Sequence, residues 1–169
     1  QDFNNASRFI ELDTLSLTQR GFAKFQLKDF DNALEDLDNA LNSDLIASLN
    51  WSSKDEIELK GQIFATKALC KFQKGEFKDA IVDFDKTINS LSAEPVYFFK
   101  RGDSKYAIGE YKDAIEDYNK AIDLNPNDPD YYLSRGLAKH DIEEFKSAIE
   151  DYNKAIDLNS GEADYYFNR

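Results

Sequence analysis

The 169-residue sequence has no methionine, one cysteine, one tryptophan, one histidine and three prolines. A single cysteine cannot form an internal disulfide and excludes the thiol-rich zinc modules. A single histidine leaves little material for general acid–base chemistry near neutral pH. No apolar run approaches the ~20 residues of a membrane-spanning helix. Basic residues are also scarce: 21 Lys and Arg face 33 Asp and Glu, a net charge of −12. Such a chain repels phosphate backbones, so no nucleic-acid partner is expected. With 41% apolar and 14% aromatic residues, a packed core is nevertheless expected. The absence of even an initiator methionine predicts a processed chain or one cut from a longer one. Gln1 is compatible with a removed signal peptide, but no signal sequence is visible, and the compartment stays open.

What the sequence does have is repetition. AIEDYNKAIDLN occurs at 114–125 and again at 148–159, a spacing of 34. The longer strings 101–125 and 135–159 align, a third copy lies at 67–91, and a fourth lies 47 residues further back at 20–44. The 13 extra residues fall between about 48 and 60. Ala114, Tyr118 and Ala121 recur at steps of four and three, which places them on one helix face. Asp128–Pro129 reads as a helix start, and Gly75 and Gly109 as left-handed stops between two helices. Ser53 with Glu56 reads as the capping box of an unusually long first helix. Each unit is therefore a helical hairpin that must stack on its neighbours to bury its apolar face.

These columns resemble the tetratricopeptide repeat. Its small position reads Gly21, Ala68, Gly102, Gly136, and the aromatic opening the second helix reads Phe30, Phe77, Tyr111, Phe145. Then follow Ala33, Ala80, Ala114, Ala148; Leu37, Phe84, Tyr118, Tyr152; and Ala40, Thr87, Ala121, Ala155. Pro126 alone fills the closing proline column. The resemblance implies an all-α fold, a right-handed superhelical solenoid of antiparallel helix pairs. Full repeats are expected at 14–47, 61–94, 95–128 and 129–162, with an insert at 48–60 that either extends two helices or lays Trp51 over an edge. Residues 1–13 align with a preceding second helix and 163–169 with the start of a further first helix, so the chain reads as a window of a longer array.

A charged pattern repeats in phase. Arg20, Lys67, Arg101 and Arg135 share one column, and Lys24, Lys71, Lys105 and Lys139 follow four residues later on the same face. Like charges at that spacing repel. The second helices supply Asp36, Asp83, Asp117 and Asp151, each just before its large inward residue. A structural ladder of ion pairs within each unit is expected, for example Asp117 with Arg101 and Lys105. Outward positions such as Glu116, Glu150, Asp123 and Asp157 read as a solvated acidic face.

Catalytic chemistry is not legible, and neither a cofactor nor a metal is expected. His140 stands in a column that otherwise holds Phe25, Phe72 and Tyr106, and Cys70 in one with Ala23, Ser104 and Ala138. Both read as packing residues. Residues 123–130, DLNPNDPD, have the acidic look of a calcium loop but lack its central glycine, and Ser134 stands where the closing acid belongs. They read as a turn.

The family commonly binds an extended or helical peptide on a concave face lined by first helices. The resemblance places Thr18, Phe22 and Phe25 there from the first repeat, and Ala65, Leu69 and Phe72 from the second. The third supplies Phe99, Asp103 and Tyr106; the fourth supplies Leu133, Leu137, His140 and Asp141. Such a groove, apolar and turning acidic, suits an amphipathic segment with some basic residues. The same rings could instead pack between neighbouring first helices. The Lys/Asn/Arg clamp with which one branch of the family grips chaperone C-termini is absent: Ala65 and Leu69, or Phe99 and Asp103, stand at its first positions. Two units on, Asp130 and Ser134, or Asp164 and Asn168, stand where its cations belong. The expected function is a non-catalytic protein-binding scaffold or adaptor. Alternatives are a targeting or assembly domain of a larger enzyme or secretion machine, and self-association through unfinished ends carrying Phe3, Tyr165, Tyr166 and Phe167.

Overall fold

The structure, a computed structural model, describes residues 2–42, 53–91 and 94–158, with side chains from 14 and 54 onward in the first two stretches. Among the described residues there are eight helices and no strand. In the unit spanning Gln1–Leu91 they are α1 (Asp2–Gln26), α2 (Phe30–Asn42), α3 (Ser53–Lys74) and α4 (Phe77–Ser90). In the unit spanning Ser92–Arg169 they are α5 (Pro95–Ala107), α6 (Tyr111–Leu124), α7 (Pro129–Asp141) and α8 (Phe145–Leu158). Each odd helix packs mainly on the even helix that follows it. Within each unit the second helix of one hairpin also packs on the first helix of the next, α2 on α3 and α6 on α7.

One expectation about boundaries needs correction, and the long helix expected from Ser53 is present. Residues 2–13 do not form a helix of their own; Asp2–Gln26 is one helix of 25 residues. No Gly or Pro stands between Asp2 and Arg20 to stop it. Residues 53–60 of the insert lengthen α3 to 22 residues, against 13 for α5 and α7. Leu45, Leu49 and Trp51 lie outside the described residues, as do 163–169.

The even helices bury the face that their sequence repeats. Ala114, Tyr118 and Ala121 are fully buried, and so are Ala33, Leu37 and Ala40. Burying a ring such as that of Tyr118 contributes on the order of 2 kcal/mol. The small column on the odd helices exists to receive these side chains. A Cβ on Gly102 would lie 2.7 Å from Tyr118 Cε1, and one on Gly136 2.5 Å from Tyr152 Cε1. Asp128 caps α7 by accepting from the backbone amide of Asp130 at 3.1 Å, and Pro129 follows at the first helical position. Tyr132 Oη donates to the Pro126 carbonyl, and the Asn125 side chain accepts from the amide of Asn127, so 123–130 is tied up as a turn.

All four hairpin turns share one hydrogen-bond pattern. The amides of Lys28, Gly75, Gly109 and Glu143 donate to the carbonyls of Phe25, Phe72, Tyr106 and His140. The next amide reaches back five residues, as from Glu76 to Lys71 and from Glu144 to Lys139. This is the left-handed helix stop. Gly75 and Gly109 adopt φ of 78° and 82°, but Lys28 and Glu143 hold the same conformation at 61° and 64° with side chains attached. An L-residue there is strained by roughly 1–2 kcal/mol.

The second buried feature is electrostatic. Asp36 accepts from Arg20 Nε and Nη2, both at 2.7 Å, and pairs with Lys24 Nζ at 2.7 Å. Asp117 takes Arg101 at 2.9 and 2.5 Å and Lys105 at 2.8 Å; Asp151 takes Arg135 at 2.9 and 2.5 Å and Lys139 at 2.8 Å. One buried carboxylate thus bridges two cations four residues apart on the facing helix. The Arg101 and Arg135 guanidinium groups also lie over the rings of Phe98 and Tyr132, at 5.6 and 5.5 Å.

The second repeat departs from this ladder. Lys71 pairs with Asp83 at 2.6 Å, but Lys67 pairs with Asp38 on α2. A guanidinium offers two parallel donors matched to a carboxylate, whereas an ammonium is a point charge on a flexible stem. Lys67 therefore has no forked geometry holding it to Asp83, and Lys86 approaches that carboxylate at 3.5 Å instead. Arg135 makes both kinds of contact: its Nη1 also donates to Asn119 on α6 at 2.7 Å.

Three predictions rest on these features. Glu143→Gly and Lys28→Gly should each raise unfolding stability by about 1 kcal/mol, and Gly109→Ala should lower it by a similar amount, in urea titrations with unchanged slope. The Arg20 guanidinium, with Lys24, holds the Asp36 carboxyl at about 2, below the ordinary 3.8. Its stabilisation is complete above pH 4 and lost as the pH falls toward 2. The stability difference between wild type and Asp36→Asn should therefore shrink over that window. Arg101→Ala, which leaves Asp117 with Lys105 as its remaining ladder partner, should cost about 1–3 kcal/mol in thermal unfolding without altering ligand affinity.

Candidate functional site

The first-helix residues expected to line a groove divide into three groups. Thr18 and Ala65 are buried, and the Thr18 hydroxyl donates to the Thr14 carbonyl at 2.9 Å. They pack inside the unit and do not line a surface. Phe25, Phe72, Tyr106 and His140 form a second group. Each sits five residues before the ring that opens the next helix and packs on it: Phe25 on Phe30 at 6.0 Å, Phe72 on Phe77 at 5.7 Å, Tyr106 on Tyr111 at 5.3 Å. His140 lies edge-on to Phe145 at 5.3 Å, which makes it an aromatic spacer with a polar rim. Phe22, Leu69, Leu133 and Leu137 are half-buried on the same helices.

The third group is a polar cluster on α5 and α7, all within the second unit. Phe99 is the floor, between Tyr118 at 5.9 Å and Tyr131 at 4.7 Å. Above it, Tyr118 Oη donates to Asp103 at 3.1 Å, and Lys100 Nζ lies 3.0 Å from the other oxygen of that carboxylate. Burial pushes the Asp103 carboxyl above the ordinary range, with Lys100 and the Tyr118 hydroxyl pulling the other way. Burial, reinforced by Asp103, drives the Tyr118 phenol well above its usual value, so that it stays a donor. Tyr106 Oη donates to Asp141 at 2.7 Å and joins the two first helices. Burial and that carboxylate likewise push the Tyr106 phenol up. His140 Nδ1 lies 3.4 Å from Asp141, and the imidazole is 56% exposed. Asp103, Asp141 and His140 thus present a polar rim, mostly anionic, on an aromatic floor.

This rim was only partly legible. The columns place Asp103 and Asp141 on first helices, but not the tyrosine hydroxyls that hold them. The available signal is that Tyr118 and Tyr152 carry hydroxyls where the second repeat has Phe84.

Cys70 is fully buried, and burial pushes its thiol up to about 11, which keeps it protonated at neutral pH. Among the described residues no group of three or more His, Cys, Asp or Glu side chains is disposed to hold a metal ion. Among them, too, no helix is long and apolar enough to cross a membrane.

Comparison with known proteins agrees with the fold. A family model described as TPR repeat matches residues 102–143, and one described as Tetratricopeptide repeat matches residues 129–161. No curated protein matches the sequence. Among solved structures, YrrB, a TPR protein with an unusual peptide-binding site, superposes with a TM-score of 0.77 at 18% identity, covering 99% of this chain and 80% of its own. MamA gives 0.74 at 24% identity over 88% of this chain and 79% of its own. The second TPR domain of human RPAP3, in complex with the HSP70 peptide SGPTIEEVD, gives 0.63 at 19% identity over 66% of this chain and 93% of its own. Those likenesses carry the fold, and the two repeat matches mark residues 102–161 as tetratricopeptide-type repeats, in phase with the columns of the earlier hairpins.

Proposed function

We propose that the chain is a non-catalytic protein-interaction module whose second unit binds a basic, amphipathic peptide across α5 and α7. The observation that carries this reading is the pair of carboxylates, Asp103 and Asp141, held by tyrosine hydroxyls on an aromatic floor. One half-buried and one exposed carboxylate beside aromatic rings favour a ligand that brings both apolar side chains and a cation. A peptide Lys or Arg at Asp103 would join Lys100 in offsetting the cost of ionising a partly buried acid.

The same surface disfavours the peptides gripped by chaperone-binding relatives. SGPTIEEVD ends in acidic residues and a free carboxylate, and here it would meet Asp103 and Asp141. Phe99 and Asp103 offer no positive clamp. This unit therefore selects against acidic C-termini as well as for basic segments.

The test is fluorescence polarisation with an amphipathic peptide of about 16 residues carrying two arginines among Leu and Phe at helical spacing. It should bind, and SGPTIEEVD should not. Asp103→Asn with Asp141→Asn should weaken the basic peptide by about tenfold, ~1.4 kcal/mol, at unchanged fold. Affinity should fall as the pH drops from 7 toward 4, because protonating Asp103 removes the partner of the peptide cation, and Asp103→Asn should flatten that dependence. Equal binding of the two peptides, or of wild type and the double variant, would refute the proposal.

A further inference from the structure

Helix α8 is nearly a copy of α6: FKSAIEDYNKAIDL against YKDAIEDYNKAIDL. Their surroundings differ. The face of α6 receives α7: Ile115 packs in one cluster with Ala138, and Tyr111 shares a cleft with Ile142. The corresponding residues of α8, Ile149 and Phe145, are 43% and 52% exposed. The same apolar surface is built twice in the second unit and covered once among the described residues.

Helix α1 carries the complementary face. Residues 20–27, RGFAKFQL, match residues 135–142 of α7, RGLAKHDI. Ala23 and Leu27 stand in the columns of Ala138 and Ile142. Ala138 is fully buried, whereas Ala23 is exposed and Leu27 is 80% exposed. The Arg20 side chain is 61% exposed, against 17% for Arg135. In α7 that arginine reaches Asn119 of α6, and the α8 residue in the column of Asn119 is Asn153.

We propose that copies of this chain associate head to tail, with α1 of one copy seated on α8 of the next in the way α7 sits on α6. Ala23 then faces Ile149 and Leu27 faces Phe145 of the neighbouring copy. The two faces differ, so the contact is heterologous and each copy takes one neighbour on α1 and another on α8. The net charge of −12 opposes it at low ionic strength, and added salt favours it.

Sedimentation equilibrium of the full chain tests this. The weight-average mass should climb with concentration past that of a dimer, and further in added salt. Leu27→Glu and Ile149→Glu each spoil one exposed face and should leave the melting curve unchanged. Each alone should then be monomeric, while an equimolar mixture should form a dimer and nothing larger, since each variant keeps the face the other lacks. A wild type that stays monomeric throughout, as it would if its own residues 159–169 covered Ile149, would overturn the proposal. So would association of either single variant, or a mixture that stays monomeric. Both substitutions lie away from Asp103 and Asp141, so basic-peptide affinity reports on the function proposed above independently.

Discussion

A buried carboxylate shared by an arginine and a lysine is the constraint on which the regular hairpins depend. Two cations four residues apart on one helix repel, and a lone carboxylate taken out of water is costly; facing one another, the two problems cancel. The forked arginine fixes distance and rotation together, so the two helices meet in one register. That register lets Gly102 and Gly136 meet the rings of Tyr118 and Tyr152. The polar contact and the apolar packing therefore specify one register together, and in the second repeat the packing of Ala68 and Phe84 holds it without the fork. Buried ion pairs of this kind specify geometry more than they add net stability.

The second repeat shows what happens when the fork is missing. With lysine at position 67, Asp83 keeps Lys71, and the freed ammonium binds the preceding hairpin through Asp38. The contact between hairpins survives while part of the contact within one is lost. Arg135 shows that the two uses are compatible when the cation has donors enough for both.

Much of the fold could be read from the residues because two periods, the helical one and that of 34 residues, coincide. Ala114, Tyr118 and Ala121 need only that coincidence to be placed on a buried face. The choice made by Lys67 was not legible, because a column of cations does not say which of two carboxylates each one takes. Nor was the continuity of α1, since the phase of the repeat suggested a break at Thr14 that no Gly or Pro enforces. Thr18 and Ala65 were assigned to a groove by column alone, yet they are buried, because their neighbours along the helix decide exposure. At the candidate site the carboxylates were visible and their tyrosine donors were not, since Tyr118 and Tyr106 look like packing residues until their hydroxyls are located.

The double grip of Arg135 has a consequence for how the second unit opens. Its guanidinium joins Asp151 on α8 to Asn119 on α6, so the terminal hairpin is latched to its neighbour through the same side chain that latches it to itself. Releasing α8 removes the anion that orients Arg135 and loosens its hold on Asn119. Partial peeling of one helix is then a poor intermediate, and the hairpin comes away as a cooperative piece. A single planar side chain thereby ties the release of α8 to the contact between the two hairpins of this unit.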